Sequence, residues 1–153
     1  MTDTPVGLCY SSVVYCDSVR IAFLFASLND IDILACEISN AYINAPCQEI
    51  ICFVAGLEFV KSLEVKAMKL VRTLYGLKIL GASWSKMFKY HIVNYLVFTV
   101  KTIDPAMYYQ RNTKEDGSNY YELLLVYVDD VLACIHDANL LSTQHKGGRY
   151  LLL

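Results

Sequence analysis

Long apolar runs are missing from this sequence. Although 56% of its 153 residues are hydrophobic, no stretch approaches the roughly 18 apolar residues that a membrane-spanning helix needs. The opening Met1-Thr2-Asp3-Thr4-Pro5 has neither the basic nor the apolar region of a secretory signal. The six cysteines (9, 16, 36, 47, 52 and 134) contain no Cys-x-x-Cys pair and no Cys/His zinc spacing, which argues against a disulfide framework or a zinc module. Reduced and mostly buried thiols are therefore expected. Internal repeats, low-complexity tracts and linkers are absent too. What remains suits a single domain with one sizeable core. It is expected to be soluble and intracellular, cytoplasmic or nuclear, with no membrane partner.

Charge is scarce but segregated. Residues 61–90 hold Lys61, Lys66, Lys69, Arg72, Lys78, Lys86 and Lys89 against Glu64 alone, a local net charge of +6 in a chain of net −2. The first 60 residues carry −6 and the last 63 carry −2. A basic band of this kind can track phosphates. It can equally be the solvated faces of one strand and one helix.

Apolar periodicity places the elements. Asp17 or Ser18 is suited to cap a helix over 19–28, apolar nearly all round and so expected to be buried on most sides. Residues 31–38 read as a strand, 50–54 as a short strand and 67–74 as a strand with alternating basic residues. Tyr75-Gly76-Leu77-Lys78 interrupts the pattern. A helix follows over 83–96, with Trp84, Phe88, Ile92 and Tyr95 as its core face and His91 on its surface or core edge. Asp104-Pro105 makes a turn, 107–111 a strand and 114–119 a polar hairpin loop.

The most informative stretch is Leu123 to Ile135, where Asp129-Asp130 sits between apolar runs of strand length. The pair reads as the tip of a tight β-hairpin. Adjacent carboxylates at the end of a buried hairpin are costly unless a cation neutralises them, and Mg²⁺ favours such oxygens. A plain solvated turn fits the same residues. Glu37 is the second unusual acid, placed at the end of the strand Ile33-Leu34-Ala35-Cys36. Burial there without a partner would be costly; on an edge strand it would simply face water.

These residues carry a resemblance. The blocks EISNAYINAP (37–46), KLVRTLYGLKILGASW (69–84) and LLLVYVDDVL (123–132) resemble, in order and spacing, the reverse transcriptases of copia-type LTR retrotransposons. The likeness covers about 8–137 and leaves 138–153 as a degenerate tail. It implies an α+β fold: an antiparallel palm-type sheet from about 31–38, 107–111, 120–128 and 131–136, with helices packed on one face. It implies an RNA-directed DNA polymerase with an RNA/DNA template-primer and dNTPs as partners. Glu37, Asp129 and Asp130 then become the catalytic carboxylates that hold two Mg²⁺ (or Mn²⁺) ions, with Glu37 beside Asp129. Tyr42 matches the aromatic under the incoming sugar, Gly76 the glycine of the loop bordering nucleotide and template, and Lys78 is placed to meet a phosphate.

Departures from the family pattern lower the expected activity. Glu37 stands where the family has Asp, and one added methylene moves a carboxylate by about 1.5 Å. Ile79-Leu80 replaces more polar residues. The sequence starts after the fingers strands that grip a triphosphate and stops before a thumb or RNase H region. The expectation is a polyprotein remnant with weak or no polymerase activity. The readings from other classes are a non-catalytic nucleic-acid-binding module using the 61–90 band, or a two-metal phosphodiesterase.

Overall fold

The computed structural model describes residues 11–56, 58–59, 66–100, 102–114 and 116–136. The expected tail at 138–153, Lys61 and Glu64 lie outside the described residues. The described residues divide into two compact units, one drawn from 40–87 and the other from 11–39 with 88–136.

The larger unit is a five-stranded antiparallel sheet, and the fold is α+β. Its strands are β1 (Asp32–Glu37), β4 (Thr99–Val100), β5 (Met107–Thr113), β6 (Asn119–Tyr127) and β7 (Asp130–Ile135), in the order β1-β7-β6-β5-β4. The central strand β6 and its neighbour β7 are the most apolar. Five consecutive residues of β6, Glu122 to Val126, are buried, so the sheet is covered on both faces. Buried Glu122 is satisfied within the sheet: the Tyr120 hydroxyl donates to Oε1 (2.8 Å) and the Gln110 amide to Oε2 (2.6 Å). Such pairing is what makes a carboxylate tolerable there.

Helix α1 (Cys16–Asn29) lies against one face of this sheet, in contact with β1, β6 and β7. It is not buried on most sides, as its all-round apolarity suggested. Only Ala22 and Ala26 are buried, while Ile21, Leu24 and Leu28 are more than half exposed. The physical reason is that a sheet offers a helix one contact stripe. The small residues let the backbone approach Leu123, Leu125 and Cys134 most closely, leaving the bulky residues outside.

Neither Asp17 nor Ser18 caps this helix. The N-cap residue is Tyr15; Asp17 instead pairs with Arg20 at 3.0 Å on the surface. The capping carboxylate comes from 89 residues away. Buried Asp104 accepts the Tyr15 backbone N–H (3.0 Å) and the Ser18 hydroxyl (2.6 Å) through Oδ2, and the Ala106 N–H (3.0 Å) through Oδ1. An acid at a helix N-terminus is favoured by its free N–H groups and dipole.

The smaller unit carries α2 (Ala41–Asn44) and a two-stranded sheet of β2 (Cys52–Val54) and β3 (Ala67–Lys69). The strand expected over 67–74 is shorter, because its later part serves the α2 segment. Thr73 is fully buried, its N–H donating to the Ala45 carbonyl (3.0 Å) and its hydroxyl to that of Tyr42. Helix α3 (Leu80–Asn94) follows. Trp84, Phe88 and Ile92 are buried as expected, but Tyr95 falls beyond the helix and is 48% exposed, its ring 4.7 Å from that of His91. Among the described cysteines only Cys134 is buried. Cys36 and Cys52 lie on strands with an open face, Cys16 starts α1 and Cys47 lies in a loop.

Candidate carboxylate site at the hairpin end

β6 and β7 are joined by two residues, Val128 and Asp129, between the paired Tyr127 and Asp130. Val128 has a positive φ of 61°, whereas Asp129 does not; this is the pattern of a type II′ turn, whose first position favours glycine. A β-branched residue there is strained by about 1–3 kcal/mol. The turn is thus held by its flanking strands rather than by its own preference.

The register decides which acids meet. Glu37 of β1 lies directly opposite Asp130 of β7, and Asp130 lies opposite Tyr127 of β6. Directly opposed residues share a face, with Cβ atoms about 4.5–5.5 Å apart. The expected neighbour of Glu37 was Asp129. Asp129 meets this strand through its backbone, its carbonyl accepting the Ile38 N–H at 2.8 Å. Glu37 and Asp130 are exposed and Asp129 is half-buried. Among the described residues no basic side chain is paired with any of the three. The Asp130 charge reaches inward: the Cys36 thiol is raised above its ordinary value, first by burial and then by Asp130.

Among the described residues no group of three Asp, Glu, His or Cys side chains gathers closely enough to hold a metal ion. The opposed pair Glu37 and Asp130 is nevertheless chemically suited to a hard cation: all-oxygen, anionic and open to water. Beside it runs an open groove of about 530 Å³ between the start of α1 and the sheet. Val14, Val19 and Phe23 form one wall, Leu125, Tyr127 and Leu132 the floor, and Glu37 and Asp130 one end.

The remaining expected residues, Tyr42, Gly76 and Lys78, all belong to the smaller unit. The Tyr42 ring meets Tyr75 edge-on at 5.7 Å, and its carbonyl is held by Thr73. Gly76 is the third residue of a turn closed by the Leu77 N–H on the Leu74 carbonyl (3.3 Å), with φ +95°. That conformation requires glycine. Close backbone approach within the chain does not, since a Cβ there would meet nothing within 4 Å. Lys78 is exposed just before α3. The sequence showed no special role for Tyr127, Val128, Cys36 or Asp104. The hairpin length and the β1–β7 register bring the first three into view, and the packing of the start of α1 brings in Asp104.

Fold and site together define a class: an α+β domain in which an antiparallel hairpin presents adjacent aspartates at the sheet end, opposite a third acid. A family profile described as reverse transcriptase (RNA-dependent DNA polymerase) matches residues 6–147. The chain belongs to that family, in agreement with the copia-type resemblance of its motifs. No curated protein and no solved structure matches it.

Proposed function

We propose that this chain is the reverse transcriptase domain of a copia-type retrotransposon polyprotein, an RNA-directed DNA polymerase of impaired activity. The observation that carries the reading is the Glu37–Asp130 register at the end of the Asp129-Asp130 hairpin, in a chain of the reverse transcriptase family. Glu37, Asp129 and Asp130 are the residues that would hold Mg²⁺ or Mn²⁺. Two such ions, when bound, activate a primer 3′-hydroxyl and stabilise the leaving pyrophosphate. In this reading Tyr42, braced by Tyr75, packs against the nucleotide sugar. Gly76 sets the loop beside the base, and Lys78 meets a phosphate. RNA/DNA template-primer and dNTPs are the partners, and an intracellular setting, cytoplasmic or nuclear, follows.

Glu37 is the reason for impairment. Its extra methylene displaces the carboxylate by about 1.5 Å, and a misplacement near 1 Å at a reacting centre costs on the order of 100-fold. The test is primer extension on an RNA template with Mg²⁺ and dNTPs, with the chain alone and joined to fingers and thumb segments of a copia-type relative. Weak extension is expected in the joined form, raised about 10- to 100-fold by Glu37→Asp and abolished by Asp129→Asn. Robust extension by the unmodified chain would overturn the impairment. Extension untouched by Asp129→Asn would overturn the site.

A second reading has its own observation. Lys66, Lys69, Arg72, Lys78, Lys86 and Lys89 are all exposed, as a non-catalytic nucleic-acid-binding surface requires. Steeply salt-dependent binding without any Mg²⁺ dependence would favour it.

A further inference from the structure

The groove beside the hairpin is larger than a hydrated ion needs. Its volume of about 530 Å³ lies in the range of pockets that enclose small organic ligands, roughly 300–1,000 Å³. Its lining is apolar except at one end. The register puts Ala35, Leu132 and Leu125 in one cross-strand row and Glu37, Asp130 and Tyr127 in the next. Both rows therefore face the same side, the side on which α1 lies. α1 covers the sheet tightly only where Ala22 and Ala26 approach it; towards the hairpin the first turns of the helix stand off and leave the groove. Val14, Val19 and Phe23 roof an apolar trough whose open end carries two carboxylates and, among the described residues, no base.

We propose that this groove binds a protonated amine with an apolar body, its ammonium between Glu37 and Asp130 and its body between Phe23 and Leu132. Complementarity selects this class. A neutral apolar molecule would leave the opposed carboxylates without a counter-charge, and an anion would be repelled by both. An ammonium donates to carboxylate oxygens in charge-assisted hydrogen bonds, the stronger kind, while the trough removes apolar surface from water. The exposed ring of Tyr127, in the same cross-strand row as the acids, is available to the cation as a π face. The inference rests on the reading of Glu37 and Asp130 as a cation-holding pair, and it makes the amine and a divalent ion competitors for one place.

The probes are 4-phenylbutylamine, its N-acetyl derivative and 4-phenylbutyrate, titrated into the full chain and followed by calorimetry and amide chemical shifts. The amine is expected to bind at least about tenfold more tightly than either analogue, as loss of a charged hydrogen bond implies. Mg²⁺ should weaken the amine alone. Glu37→Gln/Asp130→Asn should erase the preference, and Phe23→Ala, at a partly exposed position, should weaken the amine while the amide spectrum shows the fold intact. Equal affinity for the amine and its acetyl derivative would overturn the proposal, as would no amine binding. A preference that survives in the double variant would place the cation elsewhere and overturn it too. Primer extension by the joined form reports separately: amine binding with no Asp129-dependent extension there would sink the polymerase reading and leave the groove standing. The reverse pattern would do the opposite.

Discussion

Replacing Asp104 by Asn should destabilise the larger unit more than any single change on the surface of α1. Three donors converge on this buried carboxylate: the Tyr15 N–H, the Ser18 hydroxyl and the Ala106 N–H, at 2.6–3.0 Å. Asn keeps the volume but offers one acceptor oxygen in place of two. If that oxygen keeps Tyr15 and Ser18, the new amide faces the Ala106 N–H, donor against donor. Turning it over strands Tyr15 and Ser18 instead. At about 1.5–3 kcal/mol for a hydrogen bond to a charged group, and about 1–3 for a buried donor left unmade, Asp104→Asn should cost about 2–3 kcal/mol. Asp104→Ala should cost about 3–5. Ser18→Ala removes a single donor and leaves the Tyr15 bond intact, so about 1–2 kcal/mol is expected. For a chain of this size each kcal/mol lowers Tm by about 2–4 °C, so the Asn variant should melt roughly 5–10 °C lower. Urea unfolding and thermal melts of the three variants measure the series. A cost below about 0.5 kcal/mol for Asp104→Asn, or a larger cost for Ser18→Ala, would refute the idea that this carboxylate ties the start of α1 to β5.

Mn²⁺ relaxation should detect weak metal binding that disappears in Asp129→Asn/Asp130→Asn; unchanged binding there would mean the hairpin is merely a turn. Burial pushes the Cys134 thiol from its ordinary 9.0 up to about 11. A raised folded value stabilises fully below pH 9, and the contribution is lost as pH rises towards 11. About 2 kcal/mol should go in that window, and Cys134→Ala should reduce the loss between pH 9 and 10, leaving the share of the raised Cys36 thiol, before buried Tyr108, itself pushed up to about 12, begins to contribute. Gly76→Ala should cost about 1–2 kcal/mol through its φ alone, since its Cβ would meet nothing within 4 Å, whereas D-alanine, whose chirality favours a positive φ, should be neutral or stabilising; equal losses from both would point to a steric cause instead.

Much of this protein is legible in its sequence because local chemistry suffices. Apolar runs of strand length flanking Asp129-Asp130 specify a hairpin whatever surrounds it. Trp84, Phe88 and Ile92 fall on one helical stripe and are buried, because the 3.6-residue period leaves them no other common side. Gly76 sits at a turn because only glycine adopts that φ cheaply. Which acid faces Glu37 was decided by tertiary structure. The β1–β7 register sets Asp130 there and turns Asp129 to the strand through its carbonyl, and a one-residue slip would have reversed the outcome. The same holds for α1. Its composition is apolar all round and expresses no preference for a face, so only the sheet could choose Ala22 and Ala26 and expose Leu24 and Leu28. The cap from Asp104, 86 residues from Ser18, could not be read locally either, because it depends on a contact between segments far apart in the chain.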